Sequence, residues 1–251
     1  MTDPGPQLPA WLQPVIEAAS SITVHELTRF MPPEDSDARR GAVLMLFADR
    51  HDDEALSAPE DLLHRGELLL TERAHHMRSH PGQVSFPGGS LDPGESPVDA
   101  ALREAWEETG LDPARVAVFG ELPELWLPPS NFAVTPVLGY WRHQAHVGGH
   151  VVVASPDEVH AIHHVPVAEL LDPDHRCSVR HPSGWVGPAF LIGEEKDVIL
   201  WGFTAGIIAR LLDYLGWATE WDRARVRDLP AYMLQGDPTP TDIRPNTRLE
   251  E

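Results

Sequence analysis

The chain is poor in several features that would define a class of protein. A single cysteine, Cys177, permits no internal disulfide and fits a reducing compartment. Lysine is almost absent, since Lys196 is the only lysine among 19 basic residues, against 39 acidic ones. The resulting formal net charge of −20 argues against sequence-independent nucleic-acid binding, which requires a basic surface.

Long apolar runs are also missing. None reaches the roughly 18 residues of a membrane-spanning helix. The first residues, Met-Thr-Asp-Pro-Gly-Pro, lack the basic and apolar parts of a signal peptide. We therefore expect a cytoplasmic protein that does not bind a membrane. With 251 residues and 42% hydrophobic content, the chain can build one sizeable core.

Three glutamates stand out in what the sequence does contain. Glu104 precedes Glu107 and Glu108 by three and four residues, so a helix would bring the carboxylates side by side. Like charges at this spacing destabilise a helix unless a cation lies among them, and carboxylate oxygens favour Mg²⁺ or Mn²⁺. The competing interpretation is a solvated acidic helix face.

Local signals predict that these glutamates lie near the end of a helix spanning Pro97–Thr109. Ser96 is suited to the N-cap, Pro97 to the first helical position, and Asp99 to the acidic capping position three residues after the cap. Gly110 supplies the C-terminal stop. The prediction therefore gives the carboxylates a rigid support.

The segment from Gly89 to Leu111 resembles the Nudix box, G-x5-E-x7-R-E-U-x-E-E-x-G-U, in which U is a bulky aliphatic residue. Every fixed letter is present, and the departure is Ala105 at the first U position. The resemblance implies a hydrolase of nucleoside diphosphates linked to another group. It also implies an α/β/α sandwich with a mixed sheet, here with an N-terminal helix and a C-terminal extension.

The resemblance assigns roles to the matching residues. Glu104, Glu107 and Glu108 would bind Mg²⁺ or Mn²⁺, together with the backbone carbonyl of Gly89. The predicted metal site also includes Glu95, and the predicted catalytic residues are Glu104, Glu107, Glu108, Arg103 and Glu158. Glu95 would pair with Arg103, which then orients Glu104, and Glu158 resembles a later glutamate that completes the metal site or acts as general base in several members. An ordinary exposed acid at a strand start is an equal alternative for Glu158.

A second pattern lies immediately upstream. Residues 69–89 resemble the signature of the coenzyme A pyrophosphatase branch, L-L-T-x-R-[S/A]-x3-R-x3-G-x3-F-P-G-G. The resemblance implies coenzyme A or an acyl derivative as substrate, with Arg73 and Arg78 binding phosphate oxygens through planar guanidinium groups. Phe132, or its neighbour Asn131, is a further candidate for nucleotide contact, with a hairpin or core role as the alternative. The histidines of the same segment, His75, His76 and His80, receive no role.

The rest of the chain predicts three regions. Residues 1–40 would form an N-terminal helix and loop, 41–217 the catalytic domain, and 218–251 a partly disordered extension whose polar tail cannot bury much apolar area. Strands are expected at 42–47, 67–71, 116–127, 134–141, 158–165, 178–180 and 189–192, with helices at 10–22, 167–171 and 201–215.

The predicted function is metal-dependent cleavage of coenzyme A or acyl-coenzyme A to 4′-phosphopantetheine and 3′,5′-ADP. Two alternatives are kept: another nucleotide pyrophosphatase of the ADP-ribose or dinucleotide type, and a ligand sensor of the same fold without turnover. The expected partner is a small nucleotide, neither nucleic acid nor membrane, and we leave a homodimer open.

Overall fold

The computed structural model describes residues 8–32, 36–50, 65–141 and 151–234. The sequence also predicts a loop insertion at 49–65 and a turn at 148–149. Most of this loop, the whole turn and the polar tail after residue 234 lie outside the described residues. Within them, no helix has the length and apolar character needed to cross a membrane.

A mixed sheet forms the centre of the molecule. In the described residues its strands are β1 (Arg39–Asp49), β2 (Gly66–Arg73), β3 (Val84–Ser85), β4 (Gly88–Ser90), β5 (Val116–Glu121), β6 (Leu125–Leu127), β7 (Phe132–Trp141) and β8 (Val159–Pro166). β1 pairs in parallel with β7 and antiparallel with β2 and β4, and β8 pairs with the other edge of β2. β1 is buried along most of its length, which explains its nearly continuous apolar sequence.

Helices cover both faces of this sheet. The helices of the described residues are α1 (Gln13–Ala19), α2 (Val24–Leu27), α3 (Pro97–Thr109), α4 (Val167–Leu171) and α5 (Gly202–Tyr214). α3 packs on the face that carries Leu44 and Leu69, whereas α1 and α5 pack on the face that carries Met45 and Leu70. Because side chains alternate between the faces of a strand, neighbouring residues of β1 and β2 belong to different layers. The predicted α/β/α sandwich with a mixed sheet is confirmed.

α3 has the predicted bounds and the predicted ends. The Ser96 hydroxyl accepts a hydrogen bond from the Asp99 backbone N–H (3.1 Å), and Gly110 ends the helix in the left-handed conformation (φ 66°). Ala101 and Ala105 are fully buried against the sheet. The small side chain of Ala105, the departure from the box pattern, therefore lies in a close helix-to-sheet contact.

A second, smaller sheet lies beside the first. Its strands within the described residues are β9 (Arg176–Arg180), β10 (Val186–Ile192), β11 (Val198–Leu200) and β12 (Val226–Asp228), in the order β11-β10-β9-β12. β12 belongs to the C-terminal extension and pairs in parallel with β9. Leu229 and Met233, from the same extension, are buried against this sheet.

Several predicted elements need correction. The strand expected at 116–127 is two strands, β5 and β6, because Pro123 interrupts the segment and cannot donate a ladder hydrogen bond. The helix expected at 10–22 is a 3₁₀ turn, Ala10–Leu12, followed by the shorter α1. The short strands β3, β4, β11 and β12 and the helix α2 were not predicted.

Candidate active site

Gly89 lies at the start of the candidate site, on β4 opposite Ala42 of β1. A Cβ atom at position 89 would overlap the carboxylate of Glu104. Only glycine therefore allows the helix carboxylate to lie directly against the strand backbone. This close approach places Glu104 beside the backbone of Gly89, the residue whose carbonyl was the predicted fourth ligand.

Arg103 links the loop before α3 to the glutamates on the helix. Its Nε and Nη2 donate to the two carboxylate oxygens of Glu95 at 2.9 and 3.0 Å, and Nη2 also donates to the carbonyl of Ser90 at 3.0 Å. Its Nη1 donates to Glu104 at 3.0 Å and to Glu107 at 3.4 Å. The guanidinium group thus fixes the orientation of Glu104 from a position held by Glu95.

Hydrogen bonding between Glu95 and Arg103 shifts the pKa values of both side chains. The hydrogen bond from Arg103, assisted by one from the backbone N–H of Asp92 (2.9 Å), lowers the pKa of Glu95 to about 2. The same bond from Arg103 to Glu95 raises the pKa of the guanidinium group. Both oxygens of Glu95 accept hydrogen bonds from Arg103, so in this arrangement Glu95 serves the site through Arg103.

Glu108 is the most buried of the helix carboxylates, with 8% of its surface exposed. Burial, followed by the charge of Glu104, raises its pKa to about 8, although Arg73 and the hydroxyl of Thr71 act in the opposite direction. The Thr71 hydroxyl donates to Glu108 at 3.4 Å. Burial also raises the pKa of Glu104, against the effect of Arg103.

Glu158 approaches the helix glutamates from the turn before β8. Its charge contributes to raising the pKa of both Glu104 and Glu108, so it lies near these two carboxylates. The backbone carbonyl of Glu158 accepts a hydrogen bond from the N–H of Ala74 at 2.8 Å. That bond connects the turn to the segment that follows Arg73.

Of the predicted substrate-binding residues, Arg73 interacts electrostatically with the helix glutamates. Its charge lowers the pKa of Glu108, and its buried Nε has no hydrogen-bond partner among the described residues. Arg78 is exposed on the segment between β2 and β3. Phe132 lies at the start of β7, where a Cβ at Gly41 would overlap both its ring and the carbonyl of Gly89. The structure therefore brings Arg73 and Phe132 to the edges of the site and leaves Arg78 on the surface.

The side chain of Asn131 forms hydrogen bonds to neighbouring side chains of the protein. It adopts a left-handed conformation (φ 46°), and its side-chain oxygen accepts hydrogen bonds from Trp126 (3.0 Å) and Ser36 (3.2 Å). Its amide donates to Asp37 at 3.2 Å. These contacts support the hairpin role that was the alternative to nucleotide contact.

Sequence reasoning missed Thr71, Ser90 and Asp92. Thr71 belongs to the upstream pattern, but its contact with Glu108 depends on where α3 crosses the sheet. Ser90 acts through its backbone carbonyl, and Asp92 acts through its backbone N–H and through a long ion pair of its carboxylate with Arg103 at 4.0 Å. Only the loop length between Gly89 and Glu95 hinted at them.

The donor set fits a hard divalent cation. Three carboxylates lie within the last turns of α3, with Glu104 against the backbone of Gly89, and Glu108 is buried with a raised pKa, which a bound cation would reverse. Oxygen ligands of this kind suit Mg²⁺ or Mn²⁺. Glu104, Glu107, Glu108 and the carbonyl of Gly89 are the groups that would hold it.

Comparison with known proteins identifies the family. Residues 61–182 match the model of the NUDIX domain. NudL, an uncharacterised Nudix hydrolase from Enterobacter sp. (strain 638), is 41% identical over 155 residues, which cover 59% of this chain and 75% of that protein. Nudix hydrolase 3 of Caenorhabditis elegans is 41% identical over 107 residues, which cover 43% of this chain but only 44% of that protein. The chain belongs to the Nudix hydrolase family. Membership of this family indicates pyrophosphate hydrolysis as the class of reaction.

A solved structure shows a weaker similarity. The Nudix hydrolase RenU from M. smegmatis is 18% identical, with a TM-score of 0.43, over 75% of this chain and 90% of that one.

Proposed function

We propose that the protein cleaves the pyrophosphate of coenzyme A or an acyl-coenzyme A, in the presence of Mg²⁺ or Mn²⁺, to 4′-phosphopantetheine and 3′,5′-ADP. The observation that carries the substrate proposal is the position of Arg73. It belongs to the coenzyme A-type pattern, lies near the buried Glu108, and keeps its buried Nε without a partner among the described residues. A planar guanidinium group there suits a phosphate oxygen.

The protein's own groups divide the work. Arg103 holds Glu104 in one orientation through its bonds to Glu95, and Arg73 would bind the substrate pyrophosphate beside Glu108. A bound divalent ion would neutralise phosphate oxygens and lower the pKa of the attacking water. A carboxylate takes the proton from that water, and the candidates are Glu104, Glu107, Glu108 and Glu158.

The substrate assay compares coenzyme A, acyl-coenzyme A, ADP-ribose, NADH and dGTP with purified protein and Mg²⁺ or Mn²⁺. Products are separated by chromatography and identified by mass. We expect 4′-phosphopantetheine and 3′,5′-ADP from coenzyme A at the highest kcat/KM. If ADP-ribose or NADH is cleaved well while coenzyme A is untouched, the alternative pyrophosphatase function replaces the proposal.

Arg73 and Arg78 are tested with a substrate pair that differs by one phosphate. If either arginine binds the 3′-phosphate, its replacement by glutamine raises KM for coenzyme A far more than for dephospho-coenzyme A. Exposed Arg180 of the second sheet provides a matched control, because its replacement should change neither value. Equal effects on both substrates would remove the 3′-phosphate role.

The sensor alternative and the general base are tested by glutamate variants. Glu107→Gln and Glu108→Gln should each abolish product formation, since each removes a proposed metal ligand. Product-free binding of coenzyme A by the native protein would favour the sensor. Glu158→Gln separates the base candidates, because full kcat in this variant eliminates Glu158.

Other properties of the whole protein stay predictions from the sequence. These are the cytoplasmic location and the division into regions 1–40, 41–217 and 218–251. Whether the protein forms a homodimer is left open.

A further inference from the structure

A second group of metal-binding side chains lies outside the Nudix box. Glu72 of β2 is buried (7% exposed), and imidazole rings contact both of its oxygens. The distances are 2.7 Å from Oε1 to Nε2 of His75 and 2.9 Å from Oε2 to Nε2 of His163. The ring of His160 lies beside that of His75, with 4.5 Å between their centroids.

The ligand atoms of this cluster lie close to one another. One ligand atom from each of Glu72, His75 and His160 lies within 4.8 Å of the other two. Around a tetrahedral zinc ion, such atoms would be about 3.3 Å apart, given metal–ligand bonds near 2.0 Å. Binding would move His75 slightly away from Glu72 and bring all three ligand atoms, which now lie within 4.8 Å of one another, to this spacing.

The cluster is separate from the box glutamates. Along β2, Thr71 and Arg73 act on Glu108, on the α3 side of the sheet. Glu72 lies between them, and alternation along a strand directs it to the opposite face. Leu70 of that face packs in the same cluster as α5, whereas Leu69 packs with α3.

We propose that Glu72, His75 and His160 bind a zinc-class transition-metal ion at a site distinct from the Nudix box. Two imidazole nitrogens and one carboxylate oxygen form a donor set that zinc accepts, whereas Mg²⁺ prefers oxygen ligands only. His163 binds the second oxygen of Glu72 and would orient the carboxylate from outside the metal shell. Each of the four side chains then has a defined contact.

The site would connect three parts of the chain. His75 lies in the segment that carries Arg78, and the ring of Tyr232 stacks on His75 with a centroid distance of 5.4 Å and an interplanar angle of 15°. Tyr232 belongs to the C-terminal 3₁₀ turn Ala231–Leu234. A metal ion binds an imidazole nitrogen in the plane of the ring, so it leaves the face of His75 to Tyr232. The ion would fix this ring between β8 and the C-terminal extension, and it would stabilise the folded chain by mass action.

The test titrates the metal-free, full-length protein with Zn²⁺ alone and in excess Mg²⁺, by calorimetry. The variants are His75→Gln and His160→Gln, and the matched control is His164→Gln. His164 lies on the same strand and contacts a different carboxylate, that of Glu67, at 2.7 Å. Glu104→Gln reports any zinc bound at the box, and metal-free circular dichroism checks that each variant is folded.

We expect one zinc ion per chain at this site, retained in His164→Gln and in Glu104→Gln. His75→Gln and His160→Gln should weaken it by at least about tenfold, as expected for loss of a metal-site contact. Zinc should raise the Tm of the native protein and of His164→Gln, but not that of His160→Gln. His160 is exposed, so this variant remains informative if His75→Gln fails to fold.

Two results would overturn the proposal. The first is the absence of saturable zinc binding, or equal zinc affinity in the native protein, His75→Gln and His160→Gln. The second is zinc binding that disappears in Glu104→Gln while both histidine variants keep it, which would assign the ion to the box. Neither result depends on which nucleotide the enzyme cleaves.

Discussion

Glu108 combines two properties that single it out among the carboxylates of the site. It is nearly inaccessible to solvent, and burial, followed by the charge of Glu104, raises its pKa to about 8. In the metal-free protein at neutral pH this group is therefore mostly protonated. A metal ion requires the ionised form, so binding must release a proton.

The affinity for Mg²⁺ should accordingly increase with pH. Between about pH 6 and about pH 8 the apparent affinity should rise by up to about tenfold per pH unit while one proton leaves per ion, and it should level off above the pKa of Glu108. Calorimetry in buffers of different ionisation enthalpy measures both quantities. Glu108→Gln should bind more weakly and with a smaller pH dependence.

Glu107→Gln is the matched control for this experiment. It also removes a proposed ligand and lowers affinity, but it leaves Glu108 intact, so the pH dependence should persist. An equally steep dependence in Glu108→Gln would show that another group releases the proton.

Arg103 acts on the reaction through Glu104. Lysine would keep the charge but could not bond Glu95 with two nitrogens while also reaching Glu104. We expect Arg103→Lys to lower kcat by about 10- to 100-fold and to weaken Mg²⁺ binding, with little change in the KM of the substrate. Steady-state kinetics and metal titration check this, with Arg180→Lys as the control. A change confined to KM would contradict the positioning role.

At the scale of elements, replacing Gly110 or Gly206 by alanine should change the free energy of unfolding in opposite directions. Gly110 ends α3 with φ at 66°, where a side chain is strained, so Gly110→Ala should destabilise the protein by about 1 kcal/mol. Gly206 lies inside α5, and a Cβ there meets nothing within 4 Å. Gly206→Ala should stabilise by about 0.5 to 1 kcal/mol.

Urea unfolding of both variants measures these free energies. Because the substitution is the same, a difference in sign isolates the backbone conformation. Destabilisation by both would indicate that packing around α5 is tighter than the open space at Gly206 suggests.

The elements also show what sequence could predict. The bounds of α3 follow from local signals, the Ser96 cap and the Gly110 stop, which operate within a few residues. The effect of the Arg73 charge on Glu108 and the cluster of Glu72 with His160 could not be predicted from the sequence, because they depend on how β2 packs against α3 and pairs with β8. His75 received no role because two of its partners, His160 and Tyr232, are distant in sequence, although Glu72 is only three residues away.

On the scale of the whole molecule, the C-terminal extension supplies the edge strand of the second sheet. β12 adds a parallel strand beside β9, and the Ser178 hydroxyl donates to the carbonyl of Arg223 at 3.0 Å. Leu229 and Met233 pack with Cys177, which is fully buried. Composition predicts disorder or loose docking only beyond about Leu234. Before that residue, these apolar side chains dock the extension on the sheet.

The single cysteine makes this docking measurable. Burial raises the pKa of the Cys177 thiol, although Arg227 and Arg225 act in the opposite direction, so a thiol reagent should react slowly with the native protein. Removing residues 222–251 takes away β12, Leu229 and Met233, which should lower the Tm and accelerate labelling of Cys177. Removing residues 235–251 alone should change neither, since their composition offers little apolar area to bury. Fast labelling in the intact chain, or slow labelling after the longer truncation, would contradict this view, because Cys177 would then be covered by something other than the C-terminal extension.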